Sequence, residues 1–399
     1  MDASPAARTP TLWRRPSGII AAPLPAILWL GGLVAALGLY GLDIIARRGQ
    51  HGLSINGHAL WGRDFANLWS AGRLVLDGQT ALLYDVRAYQ AWQAAHLSPG
   101  ILEHNYSYPP TSLLYAPLFG VLPYLAGLAL WLLLSLGAFL LAARPWLRRN
   151  GLAPWWALAL PASVVCLWAG HYGLIFAALW LFAWKEIDDR PGLAGVAIGL
   201  MLVKPHLALL MPLVLLRRGA WRAFGTAALT VALLVALSIL LFGAGLWRTY
   251  LGGTTGLQLS MVGEPHMLWS YMMPTIPPAL LAAGVSPPIA WSFYAIVALL
   301  VTGLLLWRLP ADPDRAGMLV AVATILVLPY AFNYDLTIVA VAALILFVEA
   351  ARSGDRLGAW IAAASLALPA TMIYLAAMGF RIAPLVLGAQ FAVMLRRPT

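Results

Sequence analysis

Residues 192–216 read GLAGVAIGLMLVKPHLALLMPLVLL, an apolar stretch that one polar group, Lys204-Pro205-His206, interrupts near its middle. An ionisable side chain in the membrane costs about 2.5–3.5 kcal/mol on insertion scales, so such a residue is a functional hypothesis by default. The stretch predicts two short helices that meet at a polar elbow, and such an elbow needs protein or water around it. A re-entrant hairpin over 192–216 is the alternative to two crossings.

The composition of the whole chain is that of a membrane protein. Hydrophobic residues make up 62% of the 399 residues and charged residues only 10%, whereas soluble domains carry about 25% charged residues. The chain length therefore indicates the number of membrane spans and not a number of soluble domains. The net charge of +10 does not indicate nucleic acid, because the arginines lie in short loops and form no basic patch interleaved with aromatic residues.

The apolar runs predict the fold class. We expect an all-α polytopic membrane protein, a bundle of about 12 transmembrane helices, although several runs are shorter than the ~20 residues of a full crossing. One transmembrane domain over 19–395 is predicted, between a cytoplasmic segment 1–18 and a cytoplasmic tail 396–399, and its first run is taken as an uncleaved helix. The runs are 19–42, 112–142, 152–169, 172–185, 192–204, 205–216, 222–243, 287–307, 316–330, 336–349, 357–378 and 382–395.

The arginines predict the orientation. When Arg8, Arg14 and Arg15 are placed inside, every other short basic loop falls inside too, which satisfies the positive-inside rule. The two longest hydrophilic segments, 43–111 and 244–286, then lie outside, as do all seven histidines. The protein is thus predicted in a bacterial cytoplasmic membrane, with its unusual polar residues at the periplasmic face.

The first outer segment, 43–111, has helical patterns of its own. Apolar residues recur there at helical spacing, at Phe65, Leu68, Trp69, Leu74 and Val75. Asp77-Gly78 ends that pattern, and a second helix is expected after Asp85. Both are predicted to be amphipathic helices that lie on the outer leaflet.

Asp64 opens the first of these helices, and two roles fit it. As an N-cap it would stabilise the helix by ~1 kcal/mol. As a general base at the membrane surface it would take a proton from an acceptor hydroxyl. The two roles are compatible, because a cap fixes the carboxylate. Asp85 opens the second helix and is expected to be mainly a cap.

Lys204 and His206 form the polar elbow of the opening stretch. Lys204 could extend its ammonium to the interface along its own alkyl chain. Alternatively, the cation and the neighbouring histidine could hold a lipid-linked phosphate. His171 lies in the turn Gly170-His171-Tyr172-Gly173 between two short helices, where a structural role and a site role are both open.

Further polar residues fall at the same predicted end. Asn333 and Asp335 form another elbow, in which Asp335 is either a helix cap or a site residue. Tyr106 and Tyr108 are either interfacial aromatics or part of the site.

Glu264 and His266 are candidates only because they lie in the second outer segment. The histidines form no helix-spaced metal pair, and the single cysteine, Cys166, lies in a predicted helix. Neither a metal site nor a disulfide is therefore predicted.

Several motifs follow one another along the chain: Arg63-Asp64-Phe65-x-x-x-Trp69-x-Ala71-Gly72-Arg73, Leu83-Tyr84-Asp85, Tyr106-x-Tyr108-Pro109-Pro110, Gly170-His171, Gly195-x-x-x-Gly199 before Lys204-Pro205-His206, and Pro329-Tyr330-x-x-Asn333-Tyr334-Asp335. In this order they closely resemble glycosyltransferase family 87 over roughly residues 60–350. These are GT-C-type membrane enzymes, typified by polyprenyl-phosphate-mannose-dependent mannosyltransferases.

The resemblance implies a GT-C-like bundle in which the first outer loop packs over a cavity. It also implies an inverting transfer of a hexose from a polyprenyl-phosphate sugar to a lipid or glycan acceptor, with mannose as the expected hexose. Asp64 matches the catalytic acidic residue, and Lys204, His206 and His171 are assigned to the donor phosphate. Residues expected to bind substrate, by resemblance or location, are Arg63, Tyr106, Tyr108, Glu264, His266, Asn333 and Asp335.

Three positions depart from the family pattern, and they leave the sugar and the acceptor open. His206 and His171 stand where glutamine is common, and Asn333 stands where aspartate is frequent. No cofactor is expected, because a polyprenyl phosphate is already a charged leaving group. The alternatives are a transporter or flippase, or a non-catalytic membrane partner. Transporters usually place their sites at the bilayer midplane between repeated halves, and no repeat is visible here.

Overall fold

The structure, a computed structural model, describes residues 23–47, 53–55, 59–101 and 105–396. The predicted cytoplasmic segment 1–18 lies outside the described residues, as do 19–22 of the first run and 397–399 of the predicted tail. Within the described residues the chain is helical, and its one extended pairing is an isolated bridge between Ser54 and Leu60. The all-α prediction is confirmed.

Short 3-10 turns join several of the helices and place the elbows of the site. The α-helices are α1 (Pro23–Ala46), α2 (Phe65–Leu76), α3 (Val86–His96), α4 (Pro117–Gly120), α5 (Tyr124–Arg149), α6 (Pro161–Ala169), α7 (Gly173–Glu186), α8 (Pro191–Leu200), α9 (Met211–Arg218), α10 (Trp221–Phe242), α11 (Ala244–Thr249), α12 (Thr255–Val262), α13 (Ile276–Ala282), α14 (Pro287–Trp307), α15 (Pro313–Val327), α16 (Thr337–Ser353), α17 (Arg356–Ala377) and α18 (Ala383–Arg396).

Among the described residues, six helices are long and apolar enough to cross a membrane: α1, α5, α10, α14, α16 with its preceding turn, and α17. The other predicted runs form the shorter helices α6, α7, α8, α9, α15 and α18. The chain is therefore a polytopic membrane protein, and the figure of about twelve crossings stays a prediction because these six shorter helices do not reach a ~20-residue span.

The predicted run 112–142 is wrong as one continuous element. A 3-10 turn over Pro110–Leu114 comes first, then the short α4, and α5 begins only at Tyr124. Pro117 and Pro123 cause the interruption, because proline fits the start of a helix but not its interior. The first long helix after the outer segment thus begins after the second of these prolines.

Burial separates the bundle into a core helix and peripheral helices. α16 is buried along most of its length, whereas α10 and α14 keep most of their surfaces exposed. Their exposed side chains are apolar, such as Leu240 at 80% and Leu299 at 75% exposure. Long helices with exposed leucines on most sides are stable only where the surrounding solvent is hydrocarbon.

The basic segments meet at one end of the bundle, here called the basic end. Arg149 pairs with Asp314, and Arg218 pairs with Asp188 at 3.4 Å. Arg352 donates to the Asn150 carbonyl at 2.8 Å. These contacts join segments that the arginine distribution predicts on the same side. Which side of the membrane the basic end faces stays a prediction.

The first outer segment contains the two helices expected there, and α3 begins directly after Asp85. The Asp85 carboxylate accepts the Ala88 N–H at 3.0 Å, which confirms Asp85 as a cap. α2 packs against α4, where a Cβ on Gly72 would lie 2.3 Å from the Ala116 carbonyl oxygen. Placement of these helices on the outer leaflet stays a prediction.

The segment Gly195-x-x-x-Gly199 explains how α8 packs on α10. A Cβ on Gly195 would lie 1.8 Å from the Thr226 hydroxyl and 2.4 Å from the Ala223 carbonyl oxygen. The two glycines therefore allow the helices to approach closely, as small residues do in membrane helix pairs. The motif therefore serves the packing of α8 on α10.

We expect Gly195→Ala to destabilise the protein by about 1–3 kcal/mol, because the added methyl group meets backbone that cannot yield easily. Gly192→Ala on the same helix is the matched control, since a Cβ there has no neighbour within 4 Å. Thermal unfolding followed by tryptophan fluorescence should show a lower midpoint for Gly195→Ala alone. Equal midpoints would contradict the close packing of α8 on α10.

Candidate active site

Three breaks between helices form the inner wall of the candidate site. α6 ends at Gly170, whose φ of +70° is a left-handed conformation that glycine adopts freely. The second break lies at Lys204, whose backbone is non-helical (φ −135°, ψ 75°) because Pro205 disfavours helical geometry in the preceding residue. α15 ends at Val327 before Pro329 for the same reason. Each break leaves a polar side chain at the end of an apolar helix.

Lys204 and Asp335 join two of these breaks. The Lys204 ammonium donates to Asp335 at 2.6 Å, and both side chains are buried, with exposures of 7% and 0%. The second Asp335 oxygen accepts the Phe332 N–H at 3.0 Å, so Asp335 is a local backbone cap as well as an ion-pair partner. The Lys204 ammonium therefore does not extend to the interface, and the alternative that it does is wrong.

Aromatic rings connect this ion pair to the α6–α7 turn. The Tyr334 ring lies 5.2 Å from the Lys204 ammonium and stacks on His171 with ring centroids 3.6 Å apart. The other face of the turn is close enough that a Cβ on Gly173 would lie 2.2 Å from the Tyr334 carbonyl oxygen. His171 Nε2 lies 3.3 Å from the Tyr108 hydroxyl, while Nδ1 is buried without a hydrogen-bond partner among the described residues.

Asp64 reaches this wall because the first outer segment packs on the same turn. The Asp64 N–H donates to the Ala169 carbonyl at 2.8 Å, and a Cβ on Gly170 would lie 3.1 Å from the Gly62 Cα. Trp131 fixes the turn from the other side by donating to the Gly170 carbonyl at 2.9 Å. Backbone contacts between distant segments thus place Asp64 beside the α6–α7 turn.

The Asp64 carboxylate itself is unengaged. It occupies the N-cap position of α2, yet its backbone is helical and its side chain makes no cap hydrogen bond. The described residues offer it neither a hydrogen bond nor an ion pair, although it keeps some accessible surface. The cap role considered for Asp64 is therefore wrong. The carboxylate remains available to a ligand.

The electrostatics of Asp64 tie it to the ion pair. Burial raises the pKa of Asp64 to about 7, and the negative charge of Asp335 acts in the same direction. The positive charges of Lys204 and Arg63 oppose this increase. A carboxyl group with such a pKa is partly ionised at neutral pH, where it can both hold and release a proton.

Arg63 interacts with Asp43 and Trp168, two residues that the sequence analysis did not select as candidates. Its guanidinium donates twice to Asp43 at 2.8 Å and lies 4.1 Å from the Trp168 ring centroid. Trp168 also donates to Asp43 at 2.7 Å. A signal for Asp43 was present, since it is an acidic residue at the end of the first apolar run. The substrate-binding role of Arg63 stays a prediction.

Two of the other candidates hold the wall together. Asn333 donates to the Pro369 carbonyl at 2.8 Å, and its own carbonyl oxygen is buried without a described partner. The Tyr106 hydroxyl lies 2.5 Å from the Ser112 hydroxyl. Tyr106 also contacts Tyr108, with ring centroids 5.7 Å apart. Tyr108, whose hydroxyl lies 3.3 Å from His171 Nε2, thus connects Tyr106 to the α6–α7 turn, and the substrate-binding role of both tyrosines stays a prediction.

The remaining candidates lie at the edge of this arrangement. The His206 ring is half-buried and contacts Tyr330, with centroids 5.0 Å apart. Glu264 and His266 are exposed, and neither side chain makes a hydrogen bond or ion pair to a described residue. Their assignment to substrate stays a prediction. Among the described residues, no three histidine, cysteine or acidic side chains could hold a metal ion together.

The arrangement combines two chemical capacities. Asp64 supplies a carboxylate that can take a proton, and it does so within electrostatic reach of a buried ammonium. The lysine ammonium has three N–H donors. On Lys204 one of them binds Asp335, so the other two can bind an oxyanion. The Tyr334 ring stacks on the buried His171, and the Tyr108 hydroxyl lies 3.3 Å from its Nε2.

Comparison with known proteins identifies the family of this chain. The model of glycosyltransferase family 87 matches residues 106–329, more than half of the chain. The match includes His171 and Lys204, whereas Asp64 and Asp335 lie outside it. No curated protein and no solved structure matches the chain. The protein belongs to glycosyltransferase family 87 and is, accordingly, a membrane glycosyltransferase.

Proposed function

We propose that this protein transfers a hexose from a polyprenyl-phosphate sugar to a hydroxyl group of a lipid or glycan acceptor, with inversion at the anomeric carbon. Mannose is the sugar that we expect. The observation that carries the proposal is the unengaged Asp64 carboxylate, which packs on the α6–α7 turn within electrostatic range of the buried Lys204 ammonium. An acceptor hydroxyl needs a base, and a departing phosphate needs a cation.

The reaction is a single displacement. Asp64 takes the proton of the acceptor hydroxyl while the oxygen of that hydroxyl forms a bond to the anomeric carbon. The bond from that carbon to the phosphate oxygen breaks, and its electron pair leaves with the polyprenyl phosphate, which Lys204 stabilises with its free N–H donors. The acceptor oxygen ends on the face opposite to the departed phosphate.

Inversion is supported by the number of free carboxylates in the site. A retaining reaction through a covalent intermediate needs a carboxylate nucleophile in addition to an acid–base group. Asp64 and Asp335 are the two acidic residues whose charges interact in this site. Asp335 is engaged by Lys204 and the Phe332 N–H, whereas Asp64 is unengaged. One free carboxylate suits a single displacement.

The donor class and the side of the membrane rest on general arguments. The site lies at helix breaks of a membrane bundle, where a phosphate carried by a lipid can reach Lys204 by diffusion along the bilayer. The basic end is expected to face the cytoplasm by the positive-inside rule, so the site would face the periplasm. Membership of a glycosyltransferase family favours transfer over the transporter or flippase alternative.

The first prediction concerns Asp64. Because base catalysis contributes about 10²–10⁴-fold, Asp64→Asn should reduce transfer of mannose from radiolabelled polyprenyl-phosphate mannose by about that factor in proteoliposomes. Its thermal stability should change little, since the side chain caps nothing. Asp77→Asn at the other end of α2 is the control and should keep activity, because Asp77 makes only an exposed pair with Arg73. Full activity of Asp64→Asn would show that Asp64 is not the base, and Glu264 would then be the next candidate.

The second prediction concerns pH. Asp64 accepts a proton only when ionised, and burial raises its pKa to about 7, so kcat/KM should decrease as the pH falls below about 7 and level off above it. The decrease should approach tenfold per pH unit, as for one ionising group. A limb near pH 4, the value of an ordinary carboxyl group, would show that a different group acts as base.

The third prediction separates the structural and binding roles of Lys204. Lys204→Met alone leaves Asp335 buried and unpaired, which should cost about 3–5 kcal/mol of stability. The double variant Lys204→Met/Asp335→Asn removes both charges, so it should regain most of that stability and still require far more donor for half-maximal rate. Wild-type donor dependence of the folded double variant would limit Lys204 to a structural role.

The control for this experiment is the other lysine. Lys185 pairs with the buried Glu186 at 2.5 Å at the basic end. Lys185→Met/Glu186→Gln therefore removes a lysine–carboxylate pair away from the site, where Glu186 also contacts Arg190 at 3.4 Å, and its donor dependence should equal that of the wild type.

A further inference from the structure

A buried carboxylate near the end of α1, Asp43, accepts three hydrogen bonds from two side chains, and we name this arrangement the Asp43 clamp. The Arg63 guanidinium donates to both Asp43 oxygens at 2.8 Å, and the Trp168 indole N–H donates to one of them at 2.7 Å. The guanidinium carbon also lies 4.1 Å from the centroid of the indole ring. Such a bidentate pair has a fixed geometry, so the clamp sets where the Arg63 charge lies.

The clamp is joined to the segment that carries Asp64. Arg63 and Asp64 are consecutive residues, and the Asp64 N–H donates to the carbonyl of Ala169, which follows the clamp tryptophan in the chain. Two consecutive residues of the first outer segment are thus fixed to two consecutive residues at the end of α6, one through side chains and one through the backbone. The same helix end therefore holds the backbone of Asp64 and the charge of its neighbour.

Adjacent residues of opposite charge can pair with each other in this protein. Lys185 and Glu186 are consecutive, and the ammonium donates to the carboxylate at 2.5 Å. Arg63 and Asp64 are consecutive in the same way, yet their side chains make no hydrogen bond or ion pair with each other. The guanidinium is engaged by Asp43 instead, and the Asp64 carboxylate is left without a partner among the described residues.

We propose that Asp43 is a positioning residue for the transfer reaction, because it holds the Arg63 guanidinium away from Asp64 and so keeps that carboxylate free to take a proton. This inference rests on the proposed function, in which Asp64 is the base. A guanidinium paired with Asp64 would stabilise the carboxylate and weaken it as a base. It would also occupy the space that the acceptor hydroxyl needs.

The charge of Arg63 is one of several that act on Asp64. Burial raises the pKa of Asp64 to about 7 and Asp335 adds to the increase, whereas Lys204 and Arg63 oppose it. Direct pairing with the guanidinium would lower that pKa by about one to three pH units, and loss of the guanidinium would raise it. The other titratable side chains near Asp64 and the clamp are Tyr108, Tyr124 and Tyr334, His171 on the adjoining turn, and Tyr40 and Arg47 at the end of α1.

Two variants should move the pH dependence in opposite directions. Asp43→Asn removes the bidentate acceptor and frees Arg63 to pair with Asp64. Its kcat should fall about 100-fold, as when a catalytic group is displaced by about 1 Å, and the acid limb of kcat/KM should lie about one to three pH units below that of the wild type. Asp43→Asn/Arg63→Gln leaves no cation to pair with Asp64. It should regain most of the lost kcat, with the limb above that of the wild type and the KM for polyprenyl-phosphate mannose unchanged.

The matched control is Tyr40→Phe. Tyr40 lies one turn before Asp43 on α1, and its hydroxyl donates to the Val164 carbonyl on α6 at 3.3 Å. The variant therefore removes a contact between the same two helices without touching Arg63, and it should keep the kcat and the acid limb of the wild type. A loss of stability alone would lower the folded fraction, measured by thermal unfolding, and leave the limb near pH 7. An unmoved limb in both clamp variants would overturn the inference.

A further variant covers the case in which Asp43→Asn does not fold. Asp43→Asn/Arg63→Lys keeps a cation without the clamp, and the flexible lysine chain can carry its ammonium to water. It should show the same low kcat and the same downward movement of the limb. A limb at or above the wild-type position would contradict the proposed role of Asp43.

Labelling of Asp64 with dicyclohexylcarbodiimide, followed by mass spectrometry, needs neither donor nor acceptor. The reagent modifies the protonated carboxyl group, so the labelling rate should be half-maximal near pH 7 in the wild type, at lower pH in Asp43→Asn and at higher pH in Asp43→Asn/Arg63→Gln. These midpoints in a protein that transfers no sugar from polyprenyl-phosphate mannose would support the clamp and contradict the donor. Transfer by proteins that share one midpoint would contradict the clamp alone.

Discussion

The buried ion pair between Lys204 and Asp335 is the contact on which the rest of the site depends. It connects the break after α8 with the break before α16, and neither charge can be removed alone without leaving the other unpaired in a medium of low polarity. Tyr334, next to Asp335 in the chain, then lies over the ammonium and stacks on His171. The geometry of three helix breaks is thus fixed by one pair of opposite charges.

Four aspartates near the helix ends of this region have four different environments. Asp85 caps α3, Asp43 is held by a guanidinium and an indole, and Asp335 is held by an ammonium and a backbone N–H. Only Asp64 has no such partner among the described residues. Partners lower the reactivity of a carboxylate by stabilising its charge, so the unpartnered one is the best base.

The surroundings of the site explain how membrane and aqueous ligands could both reach it. The peripheral helices α10 and α14 present apolar side chains outward, which suits contact with lipid chains. The two outer segments line a cavity of about 470 Å³ whose wall combines tyrosine, leucine and valine side chains with a few hydroxyl and amide groups. Under the proposed function, a lipid-borne donor would reach the site from this apolar surround, and no nucleotide-binding domain would be needed.

The sequence by itself determined the class of fold and the positions of the elbows. An apolar chain in hydrocarbon must satisfy its backbone within helices, and Pro205, Pro329 and Gly170 end those helices through their own backbone preferences. The Asp85 cap is equally local, because its partner is three residues away. Such features depend on neighbours in the chain, so a single sequence suffices to predict them.

Only the tertiary structure decided which polar groups are engaged and which are free. Lys204 and Asp335 are 131 residues apart, and Arg63 and Asp43 are 20 apart on either side of a segment with no regular period. Asp64 and Asp85 look alike as helix-opening aspartates, yet one caps and the other does not. Long-range pairing leaves no periodic trace in one sequence, since it depends on how separate helices pack, and the free carboxylate is defined by the partners it lacks.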